Sequence, residues 1–146
     1  MKRFFALSLA AVALAGSNQT SLRSLTCKAP PPYASSSAYS SSLTYTIDQE
    51  GWTYDWDSDK NSWLPTPDKQ EFDDWFLKYR SEIVDNVFRI ENGNYRNEET
   101  NEPYLKEFVE VDLNELNYKW VISGSRESEM QGTCEWVETF TPGYGE

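Results

Sequence analysis

Residues 67–85 read PDKQEFDDWFLKYRSEIVD, and the period assigned to their apolar side chains decides the fold. Thr66 suits an N-cap, and Pro67 suits the first helical position, where its missing N–H costs nothing. Asp68 and Glu71 put negative charge at the favourable end of a helix dipole. Phe72, Trp75, Phe76, Tyr79 and Ile83 recur at helical spacing as one broad apolar stripe. Asp74 and Lys78 add an i,i+4 pair on the polar side. The spacing predicts a helix from Pro67 to Asp85. Such a helix is marginal alone in water, so its stripe should lie on a sheet.

Strand patterns flank this segment on both sides. Leu43, Tyr45 and Ile47 alternate with Thr44 and Thr46, a half-buried strand. After a turn at Gln49-Glu50-Gly51, Trp52, Tyr54 and Trp56 alternate with Thr53, Asp55 and Asp57, giving an aromatic and a polar face. Ser62 to Leu64 adds a short strand before Pro65. Beyond the helix, Val87 to Ile90 leads into Glu91-Asn92-Gly93-Asn94, a hairpin signal because Asn-Gly readily takes positive φ. Val109, Val111 and Leu113, then Tyr118, Trp120 and Ile122, mark two more strands, and Thr133 to Phe140 a last one. The expected fold is α+β: one long amphipathic helix packed on an antiparallel sheet of five to seven strands.

The N-terminal segment reads as a sorting signal and a spacer. Met1-Lys2-Arg3, the apolar run Phe4–Ala15 and its Ala13-Leu14-Ala15 end make a signal-peptide pattern over residues 1–15. That run is too short to span a bilayer, which takes about 20 apolar residues. Residues 16–42 carry Ala29-Pro30-Pro31-Pro32 and YASSSAYSSS, and are expected to form a flexible leader. A single globular domain over 43–141 and a tail over 142–146 complete the expected organisation.

The chain carries 24 acids and 13 bases, a net charge of −11. Cleavage after Ala15 would remove Lys2 and Arg3 and no acid. That balance disfavours nucleic acid, which needs a basic footprint. Export favours pairing Cys27 with Cys134; the alternative is two free or intermolecular thiols. Histidine is absent, which excludes a Ser-His-Asp triad, a Cys-His dyad and His-containing metal sites.

Two features remain as candidate sites. Asp55, Asp57 and Asp59 alternate like the opening of a calcium loop. The sixth position of such a loop needs Gly and the twelfth a bidentate acid; here they hold Lys60 and Thr66. The plainer reading puts Asp55 and Asp57 on the solvent face of a strand and Asp59 in a turn. No cofactor is expected beyond weak, millimolar calcium. Tyr54 to Pro65 resembles the second hairpin of a WW module, with Trp63 just ahead of Pro65. Trp52 and Trp63 stand closer together than the two tryptophans of such modules, so the proline-binding function is not carried over and no family is recognised.

Trp52, Tyr54, Trp56 and Trp63 crowd one short stretch and are the candidate binding residues, because exposed rings anchor ligands at little entropy cost. Trp75, Trp120 and Trp136 lie on apolar periodic faces and read as core. No catalytic residue is assigned. The expectation is a secreted, extracellular or periplasmic binding or interaction domain, with a protein or glycan partner and no membrane insertion after signal cleavage. The alternatives are a carbohydrate-binding or calcium-assisted module, or a carboxylate-dependent hydrolase, since two acids alone can cleave glycosidic bonds.

Overall fold

The computed structural model describes residues 21–28, 42–96, 102–124 and 127–139. These contain ten strands and no helix. The first five are β1 (Arg23–Lys28), β2 (Ser42–Ile47), β3 (Thr53–Asp57), β4 (Ser62–Pro65) and β5 (Lys69–Glu71). The others are β6 (Phe76–Val84), β7 (Val87–Tyr95), β8 (Leu105–Asp112), β9 (Asn117–Gly124) and β10 (Ser128–Val137). All pair antiparallel in one sheet, ordered β4-β3-β2-β1-β10-β9-β8-β7-β6-β5 and curled into a half-barrel.

This overturns the α+β expectation. Residues 67–85 hold β5, a turn and the whole of β6, and no helix. In β6 the decisive period is two. Leu77, Tyr79, Ser81 and Ile83 stand opposite Asn94, Asn92, Ile90 and Phe88 of β7, on the face that carries the core. Phe76, Lys78, Arg80 and Glu82 take the other face. Phe72 and Trp75 fall in the β5–β6 turn, stacked at 4.0 Å, and Trp75 is only half-buried there. No helix is needed to cover the sheet, because curling lets it bury its own concave face.

Two further expectations shift. Asn92-Gly93 is not a turn but lies inside β7, and the reversal comes earlier, at Asp85-Asn86. Those residues have φ of 52° and 61°, the two positive values of a type I′ hairpin. Residues 23–28, placed in the flexible leader, form β1 between β2 and β10. The expected signal peptide and tail lie outside the described residues. Among the described residues no helix is long and apolar enough to cross a membrane.

Phe88, Leu25, Ile47, Val111 and Cys27 are fully buried on the concave face. Phe88 faces Val111 and Ile83 across its two neighbouring strands, and the Tyr45 ring meets it edge-on at 5.6 Å. Burying a side chain of this size contributes about 1.5–3 kcal/mol. Trp120 joins this core as expected, while Trp136 packs against it half-buried under the Arg23 guanidinium. Cys27 and Cys134 stand directly opposite each other in the β1–β10 pair and form a disulfide.

Strands adjacent in sequence pair with each other except β4 and β5, and β1 pairs with β10, so the order is a ring opened between β4 and β5. Those two edge strands are joined by only residues 66–68. So short a link is possible only if the two edges curl toward each other. The β2–β3 turn closes much of the gap by meeting β6. Ile83 N donates to Glu50 O at 2.8 Å, Thr53 N to Ser81 Oγ at 3.1 Å, and Thr53 Oγ1 to the Tyr79 hydroxyl at 2.9 Å. Gly51 makes this approach possible. It has φ of +91°, and a Cβ there would stand 2.5 Å from the Glu82 carbonyl carbon and Ile83 N.

Candidate functional site

The seam between the β2–β3 turn and β6 carries a groove of about 790 Å³. Its size falls within the roughly 300–1,000 Å³ of small-molecule sites. The turn that brings Glu50 and Trp52 to it is anchored by Asp48, buried at the end of β2. Asp48 Oδ1 accepts the N–H groups of Glu50, Gly51 and Trp52 at 2.9–3.0 Å, and Oδ2 accepts the Tyr54 hydroxyl at 3.3 Å. A carboxylate collecting three backbone donors fixes the turn and sets Trp52 at the groove's lip. The Trp52 side chain is 41% exposed there.

Asp68 and Lys69 line the groove further along β6, where Tyr79 N donates to Asp68 O at 2.8 Å. The outer face of β6 supplies Lys78, Arg80 and Glu82, and β7 supplies Glu91, Gly93 and Tyr95. Gly93 stands opposite Lys78 and keeps the floor low; a Cβ there would press on the Tyr95 ring and Pro103 at 3.2 and 3.3 Å. Most charges are matched nearby. Arg80 pairs with Glu82 at 2.8 Å, Lys106 with Glu91 at 2.6 Å and Lys69 with Glu71 at 2.7 Å. Lys78 lies over the Tyr95 ring at 5.2 Å, and Tyr95 stacks on Phe76 at 4.8 Å. Exposed pairs of this kind add little stability, but they neutralise the groove.

Tyr79 and Ser81 line the seam from β6, and behind them a polar cluster enters the concave side. Glu107 of β8 stands opposite Asn92 of β7 and Ile122 of β9, and accepts a hydrogen bond from Trp120 Nε1. Burial raises the Tyr45 hydroxyl well above its ordinary pKa, and the Glu107 carboxylate adds to the effect. Burial raises Tyr79 too, against the hydrogen bond from Thr53 and with the help of Asp55 and Glu107. These phenols therefore stay neutral at physiological pH. Asn92 Oδ1 is buried with no hydrogen-bond partner.

The four candidate aromatics are split. Trp52 reaches the groove. Trp56 and Trp63 stand opposite each other on the outer face of β3 and β4, edge-to-face at 5.5 Å, with Trp63 Nε1 buried and unpartnered. Tyr54 shares that face and braces the turn through Asp48. The polar positions of β3 turn inward instead, because Thr53 pairs with the core residue Ile47 and the side chains alternate from there.

Asp55 accepts the Thr66 hydroxyl at 2.8 Å. Asp57 Oδ1 caps the β3–β4 turn through the N–H groups of Asp59 and Lys60, both at 3.0 Å. The Lys60 N–H above all, helped by the Lys60 ammonium and the Asp59 N–H, holds Asp57 below the usual carboxylate range against an opposing desolvation effect. Asp59 is exposed in the turn. Among the described residues no three acids or cysteines gather as metal ligands.

Sequence reasoning missed Asp48, Lys78, Arg80 and Glu82. Asp48 carried a usable signal: an acid three residues ahead of a glycine is a common turn anchor. The β6 residues had none, because the helical reading scattered them around a cylinder. No protein-family model, curated protein or solved structure matches the chain.

Proposed function

We propose that this chain is an exported binding domain, without catalysis of its own, that takes its ligand in the seam groove. Export is supported by the signal-peptide pattern of residues 1–15 and by the Cys27–Cys134 disulfide, a bond favoured in oxidising compartments. The observation that carries the binding reading is Trp52. A large ring stays 41% exposed at the lip of a groove, on a turn that Asp48 fixes with three backbone hydrogen bonds. A rigid, half-open aromatic loses little entropy when it meets a ligand.

The test is an array carrying both glycans and peptides, probed with the labelled mature protein and with Trp52→Ala. Signals that the variant loses place binding in the groove. Signals equal for both proteins, or none above background, refute it.

A further inference from the structure

We infer that the ligand of the seam groove is an uncharged oligosaccharide; this rests on the groove being the binding site. The lining is dense in charge yet nearly balanced. Glu50, Asp68, Glu82 and Glu91 face Lys69, Lys78 and Arg80, on a chain whose net charge is −11. Arg80, Lys69 and Glu91 already hold counter-ions at 2.6–2.8 Å, so an ionic ligand would have to displace them. An anion would also approach against the field of the whole molecule. A hydroxyl group needs neither displacement nor counter-charge. It donates to a carboxylate and accepts from an ammonium or guanidinium at once, so neighbouring acid and base side chains suit the alternating hydroxyls of a sugar.

The same seam is poorly suited to an extended peptide. A peptide gains affinity at a sheet edge through main-chain hydrogen bonds. Here Ile83 N is taken by Glu50 O, Tyr79 N by Asp68 O, and Thr53 N by Ser81 Oγ. Trp52 offers instead a flat apolar face against which the C–H face of a pyranose ring can lie, while the charged rows reach its hydroxyls.

The experiment titrates the mature protein with neutral tetrasaccharides of glucose, mannose and N-acetylglucosamine in several linkages. An acidic tetragalacturonate and an extended tetrapeptide serve as comparison ligands. Affinities of every protein are read by titration calorimetry, and the site by the indole N–H NMR signal of Trp52 in the unsubstituted protein, assigned through its loss in Trp52→Phe. The expected result is a shift with at least one neutral sugar. Trp52→Ala should weaken that binding at least about tenfold, and Trp52→Phe should restore part of it. Trp56→Ala, outside the groove, should leave it unchanged. About 1 M sodium chloride, which shortens the Debye length to about 3 Å, should alter the affinity less than about twofold.

Tetragalacturonate or peptide binding at Trp52 with no neutral sugar bound would overturn the ligand class and leave the groove as the site. Silence at Trp52 toward every ligand, with array signals indifferent to Trp52→Ala, would overturn both readings.

Discussion

Tyr45 and Tyr79 bring hydroxyls into the concave side, where burial and the nearby Glu107 carboxylate favour their neutral form. An unfolded tyrosine ionises near pH 10, so above that pH the unfolded chain loses protons first. The resulting stability is complete below pH 10 and falls as pH rises toward the folded values. Alkaline unfolding followed by near-UV circular dichroism should therefore begin above that point. Tyr45→Phe keeps the ring on Phe88 and should move the midpoint to higher pH; an unmoved midpoint would show Tyr45 titrating like an exposed phenol. Core position is just as testable at this scale. Phe88→Ala should cost about 3–5 kcal/mol, whereas Trp75→Ala, which breaks only the stack on Phe72, should cost about 0.5–1.5 kcal/mol, both read from denaturant midpoints. Trp120 was legible as core because it stands in a clean alternation, Tyr118-Lys119-Trp120-Val121-Ile122. Trp75 was misread because a turn residue fell by chance into helical register with Phe72 and Tyr79.

At the scale of elements, β6 shows why the helix was persuasive and wrong. Its inward row is Leu77, Tyr79, Ser81 and Ile83, and the buried Ser81 interrupts the apolar alternation that would have announced a strand. Ser81 is polar because it accepts the Thr53 N–H across the seam. The residue that hid the strand is thus one that closes the sheet. In β7 the Asn-Gly signal misled for a related reason, since Gly93 serves a close approach of Tyr95 and Pro103 and not a reversal. The strands β2, β8 and β9 were legible because their faces differ cleanly in polarity.

The true turn gives its own prediction. Asn86 holds φ of 61°, which asparagine tolerates and a β-branched residue does not. Asn86→Val should cost about 1–2 kcal/mol and Asn86→Gly should be neutral or mildly stabilising, as thermal unfolding would report. The β3–β4 turn gives another. Asp57 already receives two N–H groups and Lys60, and Asp55 receives Thr66, which leaves few oxygens for an ion. Millimolar calcium should raise the melting temperature no more than magnesium at equal ionic strength. A calcium-selective rise abolished by Asp57→Asn would establish a site, since a ligand of the folded state stabilises it by mass action.

For the molecule as a whole, the sequence carried the places of several strands, but it suggested five to seven where there are ten, and it did not carry their closure. Nothing local in β1, β3 or β6 says which strands become neighbours; that follows from the short link over residues 66–68 and from the pairing of β1 with β10. The disulfide was the one long-range contact legible beforehand, because only two cysteines exist to be joined. Protein recovered from its native compartment should lack residues 1–15 and gain the mass of two hydrogens on reduction. A Met1 start or two alkylatable thiols would refute the export reading. Replacing both cysteines by alanine should cost about 2–5 kcal/mol.

The position of that bond also determines how the fold meets force. Ser24 stands opposite Val137, so the chain enters and leaves the sheet side by side. A pull on the two flanking segments would peel β1 from β10 like a zip, the weak direction for a ladder. It would part Ser24 from Val137, Leu25 from Trp136 and Thr26 from Glu135, and then arrive at Cys27–Cys134. From there the tension passes through a covalent link, and the 107-residue span it encloses, groove included, carries none of it.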